Sequence, residues 1–213
     1  MRWWNGQGAV KVIRWEADAL LMERAKGARS LIQMSENNQD DEASQIICNT
    51  AKKLHSQQMI GTIPEFIPLE IWFRNLEVAA NDNHFLRNSF IVARELLANP
   101  LEIVPLHGDL HHGNILDSQH KGWLAIDPKG LLGDRAYDFA NIFFNPNDKI
   151  ACFPGRLKRQ AMIVAESAGL GFELLMKWIA AYGGLSAAWL IEEEKDPAAN
   201  IAILEMVMSE LDN

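Results

Sequence analysis

Two segments near the middle of the chain decide the fold: His107-Gly108-Asp109-Leu110-His111-His112-Gly113-Asn114-Ile115-Leu116 and Trp123-Leu124-Ala125-Ile126-Asp127-Pro128. An Asp and an Asn lie in a loop interrupted by glycine, and a second Asp follows a short apolar strand. This spacing gathers oxygen ligands beside one candidate base, which is what phosphoryl transfer from a magnesium nucleotide needs. Mg²⁺ prefers oxygen ligands and keeps several waters, so one carboxylate and one amide are enough protein ligands.

The first segment resembles the catalytic loop of protein kinases, with Gly108 where those enzymes have Arg. Joined to the Ile-Asp-Pro that ends at Pro128, it resembles the small-molecule branch of that fold, which includes aminoglycoside phosphotransferases and choline, fructosamine and homoserine kinases. Three stretches most resemble streptomycin 6-phosphotransferases and hydroxyurea-resistance kinases: Leu20-Leu21-Met22-Glu23-Arg24-Ala25, Ile126-Asp127-Pro128-Lys129-Gly130 and Gly133-Asp134-Arg135-Ala136-Tyr137-Asp138-Phe139-Ala140-Asn141. The resemblance runs from about Trp3 to the C-terminus.

The resemblance implies an α+β, protein-kinase-like fold. Residues 1–25 would be a partial N-terminal β lobe with the hinge, and residues 26–213 a mostly helical C-terminal lobe. The implied reaction transfers the γ-phosphate of ATP to a hydroxyl of an aminoglycoside, with streptomycin favoured, and gives antibiotic resistance. Three groups of residues carry the implied roles: Asp109 orients or deprotonates the hydroxyl, Asn114 and Asp127 hold Mg²⁺, and the backbone of Glu23, Arg24 and Ala25 binds adenine.

Several alternatives stay open at this point. The same residues would serve a kinase of hydroxyurea or of a hydroxyl-bearing metabolite, and the sequence does not fix the acceptor hydroxyl, ATP against GTP, or the oligomeric state. His111 and His112 with Asp109 could instead form a dinuclear zinc hydrolase site. That pattern requires two alternating histidines ahead of the Asp, where this chain has Gly and Leu. Asp and Asn also favour ordinary turns, although three at this spacing exceed what turns require.

The segment upstream of the hinge is short for a complete kinase small lobe. No phosphate-covering loop, strand Lys or partner Glu is legible there. Lys11, in Gly8-Ala9-Val10-Lys11, resembles the phosphate-binding Lys of a kinase strand but stands too close to the hinge. The chain therefore resembles a family member that begins partway through its small lobe, and an inactive truncated member is a further alternative.

Composition limits the partners and the location. The chain has 213 residues, 48% of them hydrophobic, which is enough for a sizeable core. A formal net charge of −8 argues against nucleic acid and is compatible with a cationic substrate. Two isolated cysteines form no disulfide framework. The N-terminus lacks the apolar core of a signal peptide, and no run of about eighteen apolar residues occurs, so we expect a cytoplasmic protein without a membrane partner.

Periodicity and turn signals predict the elements. Asn5-Gly6 between two apolar runs predicts a hairpin, and a strand is expected at about residues 19–23. Asp40 or Asp41 can cap a helix that Gly61-Thr62-Ile63-Pro64 ends. Later helices are expected at about residues 70–80, 83–98, 156–168, 172–194 with a break at Gly183-Gly184, and 197–211.

Four acids outside the central loop are candidates for further roles. Asp134 either shapes the acceptor site, as the resemblance implies, or caps the helical run behind it. Asp138 is expected to be a buried acid bonded to the backbone of the catalytic loop. Glu192 and Glu193 either bind guanidinium or ammonium groups of an antibiotic or form a solvated helix end.

Overall fold

The computed structural model describes residues 1–16, 19–57, 64–81 and 83–211. The strands are β1 (Val12–Glu16), β2 (Ala19–Met22), β3 (Ile67–Pro68), β4 (Ile103–Leu106), β5 (Ile115–Asp117), β6 (Trp123–Ala125) and β7 (Leu131–Asp134). The helices are α1 (Leu31–Glu36), α2 (Asp40–His55), α3 (Leu69–Trp72), α4 (Arg74–Ala79), α5 (His84–Ala98), α6 (Asp148–Ala151), α7 (Arg156–Ala168), α8 (Phe172–Glu192) and α9 (Ala198–Leu211). Two 3₁₀ segments, His112–Asn114 and Arg135–Phe144, complete the fold.

Two small sheets in the large lobe hold the ends of the central loop. β7 pairs parallel with β3 and antiparallel with β4, so that Leu106 lies opposite Leu131. β5 and β6 form an antiparallel pair with Ile115 opposite Ala125. The chain therefore enters the loop from β4, leaves it through β5, and returns along β6 to Asp127.

The N-terminal hairpin differs from the prediction. Asn5 and Gly6 form a turn with positive φ angles of 44° and 88°, but the hairpin is made further on, by β1 and β2. The indole of Trp4 is instead buried and donates from Nε1 to the Leu54 carbonyl at 3.1 Å. Ala9 pairs with Ala125 of β6. The boundary at residue 25 stays a prediction, and within residues 1–25 the structure ties residues 4 and 8–10 to the large lobe.

Helix α2 begins where expected but is capped differently. Its N-cap is Gln39, without a side-chain capping bond, because Asp40 turns into the core and accepts from Arg156 at 2.7 and 3.2 Å. The capping role predicted for Asp40 or Asp41 is therefore wrong. The helix ends at His55; residues 61–63, expected to end it, lie outside the described ranges.

The other helical predictions differ mainly in their breaks. Helices α5 and α7 match the predicted ranges, and α9 begins one residue after Pro197. The helix expected at residues 70–80 is divided at Phe73 into α3 and α4. Helix α4 packs against α5 and α8, whereas α3 packs against α4 and the strands β3 and β7.

Helix α8 is the central helix of the large lobe and runs without the predicted break. A Cβ on Gly183 would lie 2.6 Å from Phe144, and one on Gly184 would lie 2.3 Å from the Ser89 Cβ. The glycines therefore permit close packing between elements and do not interrupt the helix. Among the described residues, one helix is long and apolar enough to cross a membrane by length and composition, and it is α8. Of its most apolar stretch, 67% is buried inside the fold.

Candidate active site

The central loop is held by a buried carboxylate. Asp138, on the 3₁₀ segment Arg135–Phe144, accepts from the backbone N–H of His107 at 2.9 Å and of Gly108 at 2.7 Å. The Nε2 of His55, from α2, lies 2.8 Å from the same carboxylate. Burial alone would raise the pKa of Asp138, but the hydrogen bond and charge of His55, with the Gly108 N–H, hold the pKa below its usual range. The predicted role of Asp138 is confirmed.

Gly108 has a specific reason to be glycine. Its φ is +83°, a conformation that costs side-chain-bearing residues free energy, and a Cβ there would lie 2.8 Å from the Leu131 side chain. Burial also lowers the pKa of the neighbouring His107, whose Nε2 lies 2.8 Å from the Ile126 carbonyl. His107 therefore braces the loop against the strand that leads to Asp127.

The Asp109 carboxylate stands at the centre of a polar cluster and is partly open to solvent. Its Oδ1 accepts from the Asn141 side-chain amide at 2.9 Å. Its Oδ2 accepts from Asn114 Nδ2 at 3.3 Å and lies 3.2 Å from Lys129 Nζ. Asn114 Nδ2 also donates to the Asp109 carbonyl at 2.8 Å, which closes the loop on itself. Both oxygens of the candidate base therefore have defined and different neighbours.

The two predicted metal ligands lie together beside this base. The Ile126 N–H donates to the Asn114 carbonyl at 2.9 Å, which brings Asn114 next to Asp127. The Asp127 side chain is 69% exposed and contacts the ammonium of Lys129 at 3.1 Å. Its backbone has a φ of +57°, a strained region of the kind found at functional sites. The result is an exposed carboxylate held at a fixed angle beside an amide.

This donor set fits Mg²⁺. Within the described ranges the hydrogen bonds of the Asn114 side chain are made by its amide nitrogen, and no residue donates to Oδ1. An amide oxygen and an exposed carboxylate suit a hard cation that keeps waters and phosphate oxygens in its remaining positions. Asn114 and Asp127 would hold this ion.

The zinc hydrolase alternative has no ligand set among the described residues. No three His, Cys, Asp or Glu side chains there are gathered closely enough to hold a metal ion. The Nδ1 of His111 accepts from the Gly113 N–H at 3.1 Å. The buried His112 faces away, toward Asp40, with Nε2 at 3.8 Å from Oδ1.

Two residues of this cluster were not assigned a role from the sequence. Asn141 contacts the base directly, and Lys129 lies within 3.2 Å of both Asp109 and Asp127. Two acids near one another repel, and the Lys129 ammonium offsets that repulsion. Burial lowers the pKa of Lys129, but the hydrogen bonds and charges of Asp127 and Asp109 outweigh burial and raise it. The spacing of Asp138 and Asn141, three residues apart in a 3₁₀ segment, was an available signal, since such residues share a face.

The predicted hinge leads out of the small hairpin. Glu23 Oε1 accepts from the Lys11 N–H at 2.8 Å, and Oε2 pairs with Lys121. Lys11 is thus a strand neighbour of the hinge, which agrees with its exclusion as the phosphate lysine. Across the described part of the chain, no residue hydrogen-bonds the backbone of Arg24 or Ala25. Those backbone groups are therefore available to hydrogen-bond the adenine ring of a nucleotide.

The remaining predicted substrate residues are not brought to the Asp109 cluster by any contact. Asp134 is 4% exposed, and its two oxygens accept from the N–H groups of Leu101 and Ala136 at 2.8 and 2.9 Å. It pairs with Ile103, at the end of β4 away from the loop. Asp134 therefore caps the 3₁₀ segment; substrate contact stays a prediction, which this burial does not favour.

Glu192 and Glu193 lie at the exposed end of α8. The Asn75 side-chain amide, from α4, donates to Glu192 Oε2 at 2.6 Å, and Glu193 pairs with Lys195 at 2.6 Å. Tyr182, ten residues earlier on the same helix, is near enough to Asp109 that burial and then the Asp109 charge raise the pKa of Tyr182. The rise of an α-helix places the acidic end roughly 15 Å further along.

Comparison with known proteins now decides the family. A family model described as aminoglycoside/hydroxyurea antibiotic resistance kinase matches residues 1–194. The chain belongs to this family. Streptomycin 3''-kinase of Klebsiella pneumoniae is 50% identical to this chain over 196 residues, which are 90% of this chain and 73% of that protein. Streptomycin 6-kinase of Streptomyces griseus is 31% identical over 150 residues, 65% of this chain and 47% of that protein.

A solved structure confirms the predicted fold of this chain. The aminoglycoside phosphotransferase APH(3'')-Id of Streptomyces rimosus, in complex with ADP and streptomycin, superimposes with a TM-score of 0.59 at 17% identity. The match covers 84% of this chain and 75% of that one. This likeness confirms the predicted kinase-like α+β fold. The family and the 50% identical relative confirm the predicted class, a phosphotransferase with an alcohol group as acceptor.

Proposed function

We propose that this kinase transfers the γ-phosphate of ATP to the 3''-hydroxyl of streptomycin and so gives resistance to the antibiotic. One observation carries the proposal: Asp109, Asn114 and Asp127 are gathered on one loop and the following strand, with Asp127 open to solvent. A base beside two oxygen ligands is the protein part of phosphoryl transfer. The 50% identity to a streptomycin 3''-kinase favours that hydroxyl over the 6-hydroxyl named for the more distant relative.

The roles of the residues follow from their surroundings. Asp109 accepts the proton of the attacking hydroxyl while the hydroxyl oxygen bonds to the γ-phosphorus. The bond from that phosphorus to the bridging oxygen breaks, and ADP leaves with the electron pair. Bound Mg²⁺, held by Asn114 and Asp127, would neutralise charge on the phosphates. The backbone of Arg24 and Ala25, beside Glu23, binds adenine through its free N–H and C=O groups.

The acidic end of α8 is the proposed contact for the cationic part of the antibiotic. Streptomycin carries guanidinium groups, which pair well with carboxylates. Glu192 lies roughly 15 Å along α8 from Tyr182, whose pKa is raised by burial and then by the Asp109 charge, so in this proposal an extended acceptor reaches from Asp109 to this end of the helix. Glu192→Gln and Glu193→Gln should each raise the KM for streptomycin several-fold and leave the KM for ATP unchanged. Glu194→Gln, in the same acidic run, is the matched control.

We place the reaction in the cytoplasm, where ATP is available. In this proposal the long apolar helix α8 is a core helix, since it packs against α5, α9 and the 3₁₀ segment at the centre of the lobe.

An acceptor panel tests the proposal. The purified chain is incubated with Mg-ATP and streptomycin, hydroxyurea, kanamycin or no acceptor, and ADP release is followed. Phosphorus–proton NMR correlation then locates the new phosphate. The proposal expects turnover with streptomycin and phosphate on the 3''-oxygen. Phosphate on the 6-oxygen would correct the position, turnover with hydroxyurea alone would replace the acceptor, and binding of nucleotide without turnover would contradict the proposed activity.

A further inference from the structure

The 3₁₀ segment Arg135–Phe144 contacts the catalytic loop twice. Asp138 and Asn141 are three residues apart, and residues at this spacing in a 3₁₀ helix lie on one face. Asp138 holds the backbone at His107 and Gly108. Asn141, which is 5% exposed, reaches past the backbone and donates from Nδ2 to Asp109 Oδ1 at 2.9 Å. One element therefore sets both the loop and the side chain that the loop carries.

A second amide fixes the orientation of the first. Asn145 Nδ2 donates to Asn141 Oδ1 at 2.9 Å and to the Asn141 carbonyl at 3.1 Å. A side-chain amide has one donor end and one acceptor end. Because the acceptor end of Asn141 is taken by Asn145, its donor end must face Asp109.

The Asn145 backbone is anchored in turn to the core of the lobe. Its carbonyl accepts from the buried Arg156 at 3.0 Å, and Arg156 is paired with Asp40 of α2. A continuous series of hydrogen bonds thus runs from a buried ion pair to the catalytic carboxylate.

The two oxygens of Asp109 consequently differ in what they can do. Oδ1 faces the buried Asn141, and His111 Nε2 lies 3.8 Å from the same oxygen. Oδ2 points to Asn114 and Lys129, on the side where Asp127 lies. Asn114 and Asp127, which would hold Mg²⁺, are on this second side, so a phosphoryl group bound to that ion would also lie there.

We infer that Asn141, oriented by Asn145, is a positioning residue: by holding Oδ1 of Asp109 it fixes the plane of the carboxylate and turns Oδ2 to the side of Asn114 and Lys129, where Oδ2 takes the proton of the acceptor hydroxyl. The inference rests on the proposed phosphotransferase activity. In the step itself the proton moves from the hydroxyl to Oδ2, the oxygen–phosphorus bond forms, and the bond to the β-phosphate oxygen breaks. Asn141 neither gains nor loses a proton, so its effect is geometric.

The test compares Asn141→Ala and Asn141→Asp with the unmodified enzyme. Loss of a group that aims the base should lower kcat by about 10- to 100-fold, because small misplacement of a catalytic group costs rate in this range. The KM values for ATP and streptomycin, and the affinity for ADP measured by calorimetry, should stay within about 2-fold. Asn141→Asp keeps the shape of the side chain but sets two carboxylates together, so its kcat should fall at least as far.

Asn145 provides a second measurement that a purely structural role would not reproduce. Asn145→Ala should lower kcat less than Asn141→Ala, and the double variant should match Asn141→Ala alone, since Asn145 acts only through Asn141. Urea unfolding of every variant confirms that the proteins compared are folded.

Three results would overturn the inference while leaving the proposed function standing. One is a kcat for Asn141→Ala within about 2-fold of the unmodified enzyme, and another is additive losses in the double variant. The third is an equal loss of ADP affinity and of kcat, which would mean general damage to the site. If the unmodified chain binds nucleotide but transfers phosphate to no acceptor, the proposed function fails, and the inference fails with it. Normal transfer by all variants leaves the proposed function standing and removes only the role of Asn141.

Discussion

Replacement of the buried acid Asp138 by Asn should lower both the stability of the protein and its kcat, because Asp138 holds the backbone of the catalytic loop. Asp138 accepts from two backbone N–H groups of the loop and from His55 on α2. The amide that replaces the carboxylate would keep one acceptor oxygen and turn an NH₂ group toward a donor. Hydrogen bonds to a charged group contribute about 1.5–3 kcal/mol each, and the change weakens the three that reach the Asp138 carboxylate. We therefore expect the free energy of unfolding to fall by about 3–5 kcal/mol.

The same change should reach the reaction, because the released backbone carries Asp109. A shift of about 1 Å in a catalytic group can cost about 100-fold in rate. We expect kcat of the folded Asp138→Asn enzyme to fall by about that factor, measured at low temperature where the destabilised protein stays folded. Urea unfolding followed by tryptophan fluorescence gives the stability of the same samples.

Asp134→Asn is the matched control. Asp134 is another buried carboxylate that accepts from two backbone N–H groups, but these belong to Leu101 and Ala136 at the far end of β4 and β7. Its replacement should cost about 2–4 kcal/mol of stability and leave kcat within about 2-fold. The reasoning is refuted if Asp138→Asn keeps full activity, or if both variants lose activity equally. A raised KM for streptomycin in Asp134→Asn alone would support the predicted contact between Asp134 and the substrate.

The sequence predicted contacts between residues close together in the chain better than contacts between residues far apart in the chain. The loop around Asp109 is local, so the spacing of Asn114 and Asp127 was sufficient to predict their meeting. Gly183 and Gly184 were misread as a break because their partners, Phe144 and Ser89, come from other parts of the chain. A glycine pair in a helix has the same sequence signature whether it interrupts the helix or admits a neighbour.

Two further misses have the same cause. Asp40 has the sequence signature of a helix cap, and only the buried Arg156, more than a hundred residues later, turns it into an ion-pair partner. Asn141 was part of the segment that carried the resemblance, and its spacing from Asp138 indicated a shared helix face. Its contact with Asp109, however, joins residues 32 positions apart in the chain, which spacing within the segment does not specify.

Two more predictions test packing and charge. Gly184→Ala should lower the free energy of unfolding by about 1–3 kcal/mol, because the added methyl group overpacks against Ser89. Gly171→Ala, where a Cβ meets no atom within 4 Å, should lower it by less than about 1 kcal/mol. Urea unfolding measures both, and equal losses would contradict the packing argument. Burial, more than any other influence, lowers the pKa of His112, so the folded protein binds this proton less readily than the unfolded chain. That contribution to stability is complete above the unfolded pKa of about 6.5 and is lost as the pH falls through the folded value, with a slope of up to about 1.4 kcal/mol per pH unit. Between about pH 7.5 and 5, the free energy of unfolding should change less with pH for His112→Gln than for the unmodified protein. Equal pH dependence in the two proteins would contradict this assignment.

The central claim is that Asp109 acts as the base in phosphate transfer to streptomycin, and the most direct measurement compares Asp109→Asn with the unmodified enzyme. Transfer of labelled γ-phosphate from Mg-ATP to streptomycin is followed in both, with ATP-analogue affinity as the control for an intact site. We predict a fall in kcat of about 10²- to 10⁴-fold with nucleotide affinity unchanged, as the loss of a general base gives. Equal rates in the two proteins would show that the proton goes elsewhere and would contradict the account.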